Sequence, residues 1–109
     1  MGDPAGAREL HEQTLAARRR LLGDEHPNTL NSMNNLAGKL TALGDHAGAR
    51  DLYVQTLAAR RRLLGDEHPN TLTSMNNLAL TLRALGDHAG AHELHEQTRG
   101  LRAWAAQTS

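Results

Sequence analysis

The chain has 109 residues, the size of one small domain, which buries about two-thirds of its unfolded surface. Twelve basic residues balance twelve acidic ones, so the charge that supplies most non-specific affinity for nucleic acid, or draws a protein to an anionic membrane, is missing. Cysteine is absent, which excludes disulfides and thiolate chemistry and fits a cytoplasmic setting, and no apolar run approaches the ~20 residues that span a bilayer.

In chain order, Asp3 and Pro4 supply a cap and a first-turn proline for an opening helix. Its stripe is Leu10, Thr14, Leu15, Leu21 and Leu22, and Gly23 ends it. Pro27, after His26, opens a second helix. Leu30, Met33, Leu36, Ala37, Leu40 and Leu43 then recur every three or four residues, as one buried helical face requires. Gly44 stops this helix by taking positive φ, and Asp45 caps the next. The third stripe runs Ala49, Leu52, Tyr53, Thr56, Leu57, Leu63 and Leu64 before Gly65. A turn this short between two helices makes a helical hairpin.

The same pattern then starts again. Residues 65–98 repeat residues 23–56 with eight differences in 34 positions, and the opening segment matches the second half of the unit. The chain therefore divides into a half repeat at 1–22, a repeat at 23–64 and a repeat at 65–109 whose end diverges, together one domain. A period of about 20–50 residues marks a solenoid, in which each unit buries its apolar face against the next. In the last helix, capped by Asp87, TLAARRRLL becomes TRGLRAWAA. Gly100 then falls in a helix interior at a cost of about 1 kcal/mol, which predicts a kink or fraying there.

The unit LGDEHPNTLNSMNNLA, completed by GDHAGARDLYVQTL, resembles the forty-two-residue tetratricopeptide repeat (TPR) of kinesin light chains and of similar bacterial and fungal arrays. The resemblance covers essentially the whole chain. It implies an all-α, right-handed α-solenoid of five antiparallel helices, a half repeat plus two full hairpins, whose first helices line a concave groove for a peptide or protein partner. It implies no chemistry and no cofactor. The positions facing that groove are Asn31, Asn34, Gly38, Thr41 and Ala42 in one unit and Thr73, Asn76, Leu80, Arg83 and Ala84 in the next. An asparagine amide both donates and accepts, so Asn34 and Asn76 suit a partner's backbone. The alternative is that these residues only face water. Arg83 is the one cation the sequence places there, and Asn, Gly and Leu stand where some relatives carry a carboxylate clamp.

His88, His92 and His95 share a helical face at spacings that suit Zn²⁺ or Ni²⁺. His88 and His95, however, occupy positions where the family places packing aromatics, and His95 aligns with Tyr53, so no metal is assigned. The Arg18–Arg20 and Arg60–Arg62 runs sit in last helical turns beside Asp24, Glu25, Asp66 and Glu67, which reads as a solvated, charge-balanced edge. No nucleophile with a nearby base and no phosphate loop points to an enzyme. The opening helix lacks a helix before it and no polar cap follows the last one. Leu10, Leu15 and Trp104 are therefore expected to lack partners within the chain, so that either the chain is a piece of a longer array, such as that of a larger sensor or regulator, or these residues drive homo-oligomerisation.

Overall fold

A computed structural model describes the backbone of residues 4–108 and the side chains of residues 6–103 and 107. Among the described residues the chain forms five α-helices and no strand: α1 (Pro4–Leu22), α2 (Pro27–Ala42), α3 (His46–Leu64), α4 (Pro69–Ala84) and α5 (His88–Thr108). None is long and apolar enough to cross a membrane. Two compact units divide the chain at Thr56 and Leu57, within α3.

The punctuation residues act as their chemistry requires. Gly44 and Gly86 take φ of 85° and 87°. In the first turn Asp45 N–H donates to Leu40 O at 2.8 Å and Gly44 N–H to Thr41 O at 3.0 Å, the paired bonds that close a helix through a left-handed residue. Asp45 Oδ1 then accepts from Gly48 N at 2.9 Å and starts α3; Asp87 does the same for α5 through Gly90. The start of α2 holds a device not expected from the sequence. His26 is itself the cap, its Nδ1 accepting from Asn28 N at 3.1 Å, and His68 repeats this on Asn70 N at 3.0 Å. The Asp3 cap and the Trp104 side chain lie outside the described residues.

In unit 1, α1 folds back on α2 and buries Leu15 beside Leu30, Met33, Leu36, Ala37 and Leu40 in the core; Ala49, Leu52, Tyr53 and Thr56 of α3 are buried as well. In unit 2, Leu57 and Ala59 of α3 join Met75, Leu78, Ala79 and Ala91. Several expectations need correction. Leu15 is only 4 % exposed, because the hairpin with α2 covers it, so it is not a free oligomer contact. Leu21, Leu22, Leu63 and Leu64 are exposed rather than core, since they lie at the helix ends, beyond the faces the hairpins cover. Gly100 does not break α5, which continues as one helix to Thr108. No neighbour within 4 Å crowds that position, so the helix carries only the propensity cost.

The arginine runs also differ from a uniformly solvated edge. Arg60 is 7 % exposed, and its Nη1 donates to Ser74 Oγ at 2.8 Å and Asn70 O at 3.3 Å. In return Thr71 Oγ1 donates to Arg60 O at 3.3 Å. Unit 1 repeats the clamp: Arg18 Nη1 donates to Ser32 Oγ at 2.7 Å and Asn28 O at 3.1 Å, and Thr29 Oγ1 donates to Arg18 O. Arg19 and Arg61 reach outward instead, each donating to a glutamine 36 residues on, Gln55 and Gln97, and pairing with Asp24 and Asp66 at 3.5 Å. The third arginine, Arg20 or Arg62, is exposed at the edge as expected.

Burial lowers the tendency of Arg60 to hold its proton, and the last turns of α3, where a helix dipole favours positive charge, offset that cost. Arg60→Ala leaves the buried Ser74 hydroxyl and the part-buried Asn70 carbonyl without this donor and is expected to cost about 2–3 kcal/mol in urea unfolding, whereas Arg20→Ala stays within about 0.5 kcal/mol. Desolvation also raises Tyr53 above its ordinary 10.0, and a hydrogen bond with Thr41 opposes that rise. The folded state thus keeps a proton that the unfolded chain releases above pH 10.0. This contribution is intact below that pH and is lost as pH climbs through the folded value. Tyr53→Phe should flatten the alkaline fall of a stability–pH curve.

Candidate functional site

Burying one side of α2 and α4 forces the opposite side outward. On α2, Asn31, Gly38, Thr41 and Ala42 are exposed and Asn34 is half-buried. The spacing of three or four that buries Leu30, Met33, Ala37 and Leu40 is thus mirrored by a polar stripe. These residues already bond within the chain: Thr41 Oγ1 donates to Ala37 O at 2.9 Å, and Asn31 and Asn34 each have an intramolecular interaction. On α4, Thr73, Asn76, Arg83 and Ala84 are exposed, and Leu80 is 49 % exposed with nothing apolar required of it by the fold.

In unit 2 this face opens on a cleft of about 510 Å³ between α4 and α5, lined by Asn76, Arg83, His92, His95, Thr98, Arg99 and Arg102. A second hollow of about 310 Å³ adjoins it, with Pro69, Leu72 and Thr73 beside the same Asn76 and Arg102. The structure therefore gathers Thr73, Asn76 and Arg83 of the expected residues around two neighbouring clefts and leaves Leu80 outside them. Asn31, Asn34 and Thr41 form the corresponding face of unit 1.

Most of the cationic character of this cleft was not expected from the sequence. Arg83 is not the only cation: Arg99 and Arg102 line the same space, with His92 and His95. Arg83 and Arg102 are exposed and have no side-chain partner among the described residues; Arg99 pairs with Glu96 at 3.1 Å, both exposed. The signal was present, since Arg99 stands where the repeat has Leu57, but a single helix taken alone gives no reason to place Arg99 and Arg83 together.

The histidine set does not assemble. His88 and His92 are exposed and His95 is half-buried, with its Nε2 enclosed and without a hydrogen-bond partner. Among the described residues no group of three or more His, Cys, Asp or Glu side chains is placed to hold a metal ion. On the opening helix Leu10 is 66 % exposed, and Thr14 is exposed too.

The model of the tetratricopeptide repeat matches the chain twice, over residues 1–62 and 40–103. A solved structure of a Podosopora anserina protein assigned as a kinesin light chain, with nearly identical TPR-like repeats, is 36 % identical. The match covers 94 % of this chain and 48 % of that one, with a TM-score of 0.82. A point variant of the same fungal protein is 37 % identical over 97 % of this chain and 50 % of that one, also at 0.82. BtubC (BKLC) from P. vanneervenii shares the fold, with a TM-score of 0.83 at 24 % identity over 92 % of this chain and 39 % of that one. The chain thus spans half or less of the length of these structures. Among curated proteins no sequence matches it.

Proposed function

Because this chain belongs to the tetratricopeptide repeat family, in its kinesin light chain-like form, we propose that it is a non-catalytic scaffold that holds a peptide or protein segment on the outward faces of α2 and α4. Repeats of this family are generally protein–protein interaction modules and carry no catalytic centre. One observation carries the assignment to these faces. Asn76 is exposed on α4 at the meeting point of two clefts, with its backbone held by a helix whose other side is core. An amide placed there donates to and accepts from a partner's main chain without reading its side chains, while Thr73, Leu80 and Arg83 supply the neighbouring side-chain contacts. Asn31, Asn34 and Thr41 do the same on α2.

A balanced net charge supports a protein partner over nucleic acid or a membrane surface, and a chain without cysteine suits a reducing, cytoplasmic setting. Asn34→Ala combined with Asn76→Ala is expected to weaken by about tenfold or more the peptides selected from a library by the unaltered chain. Undiminished binding would place the partner elsewhere.

A self-assembling scaffold is the second reading, and the opening helix favours it. Leu10 is 66 % exposed and Thr14 is exposed, whereas Leu52 and Thr56 at the same repeat positions are 9 % and 0 % exposed. A second copy that covers Leu10 recovers about 1.5–3 kcal/mol per buried leucine. Light scattering across a concentration series should then show oligomers that Leu10→Glu converts to monomers; a chain monomeric throughout, or oligomers that survive the substitution, removes this reading.

A further inference from the structure

The two near-identical units act as controls for each other. Of the eight positions that differ between residues 23–56 and 65–98, three line the cleft between α4 and α5: Arg83 replaces Thr41, His92 replaces Arg50 and His95 replaces Tyr53. One residue beyond that stretch, Arg99 replaces Leu57 and also lines it. Thr41 and Arg83 are both exposed, whereas Tyr53 and Leu57 are 8 % and 4 % exposed and their counterparts His95 and Arg99 are half-buried and exposed. Arg102, at the repeat position of Arg18 and Arg60, lines the space as well. The departures from the repeat thus converge on one space, where Arg83 and Arg99 bring guanidiniums in place of a hydroxyl and a leucine while His92 takes the place of an arginine.

Three permanent cations, two imidazoles and the Asn76 amide exceed what one carboxylate needs, since a single guanidinium already engages both of its oxygens. A phosphoryl group carries about −1.5 to −2 charge and three strong acceptor oxygens, enough to engage several guanidiniums together. We propose that the α4–α5 cleft receives a phosphoryl group carried on the partner segment, with Arg83 and Arg102 as its principal donors and Asn76 holding the segment's backbone beside it. Arg99 joins them by leaving Glu96, a surface pair of the kind that contributes little. This assignment rests on the reading of the chain as a partner-binding scaffold and specifies what the partner must carry.

The test compares a degenerate peptide library bearing a central phosphoserine with the same library bearing serine or glutamate, titrated against the unaltered chain and against Arg83→Thr with Arg99→Leu. Those substitutions restore the residues that the chain itself carries at Thr41 and Leu57, and Arg102→Gln, at an exposed position, is the second variant. The phosphoserine pool is expected to bind about tenfold or more tighter than the other two, with that preference lost in both variants. Equal binding of the three pools, or a preference that survives in the variants, overturns the phosphoryl assignment while leaving the scaffold intact. Inorganic phosphate binding as tightly as the phosphoserine pool overturns it too, because the segment then contributes nothing. If no pool binds at all, the scaffold reading fails with it.

Discussion

The join between the end of one helix and the start of the next depends on a two-way lock. Arg60 donates its guanidinium to Ser74 and to the carbonyl of Asn70, and its own carbonyl accepts from Thr71. Both halves of one residue are thereby fixed to the first turns of α4, across a turn that Gly65 opens at φ 90° and His68 closes as a cap. A guanidinium suits this role because its donors lie in a rigid fork, so less rotamer freedom is lost for each bond formed than with lysine. The side chain also brings an apolar stem into the packed hairpin. Arg18 builds the same lock between α1 and α2. With the register of each hairpin set in this way, the inward stripe of α2 and α4 is held against its neighbour and the polar stripe faces out.

Features governed by local chemistry were legible in the sequence. Pro27, Gly44, Asp45 and their counterparts forty-two residues on mark helix ends because each acts through its own backbone or the next few residues, and the observed helices begin and end there. Features decided across a turn were not legible. Nothing in Arg-Arg-Arg says that the first residue of the run turns inward to a serine fourteen residues later, the second outward to a glutamine thirty-six residues later, and the third to the edge. Leu15 was misjudged for a related reason: a stripe shows which residues share a face, but how far the partner helix extends along it decides which of them are covered.

For the candidate site, the α4 residues could be placed from the repeat, and the α5 residues could not. Asn76 and Arg83 are two helical turns apart on one helix, so periodicity alone aligns them. Arg99 and Arg102 reach the same cleft only because α5 lies against α4, and there the sequence departs from the repeat that guided the placement. A repeat protein rewards attention to its exceptions. Thr71, Ser74, Met75, Leu78 and Ala79, which unit 1 repeats at Thr29, Ser32, Met33, Leu36 and Ala37, are buried and make the hairpin.

One pair of exceptions bears most directly on the cleft. In unit 1, Tyr53 of α3 is buried with Thr41 of α2 beside it, and the Thr41 hydroxyl donates to Ala37 O. At the same two positions in unit 2 stand Arg83 and His95. The exchange places there an exposed guanidinium that has no partner among the described residues and an imidazole whose Nε2 is buried without one. A buried donor or acceptor left unmatched costs about 1–3 kcal/mol, and the chain carries the cheaper solution forty-two residues earlier. The hydrogen bonding of this pair therefore does not account for the change. Where every other level of a structure agrees and one site runs against its own template, the physical expectation is that the site answers to something outside the fold. In unit 2 that site is the cationic cleft between α4 and α5.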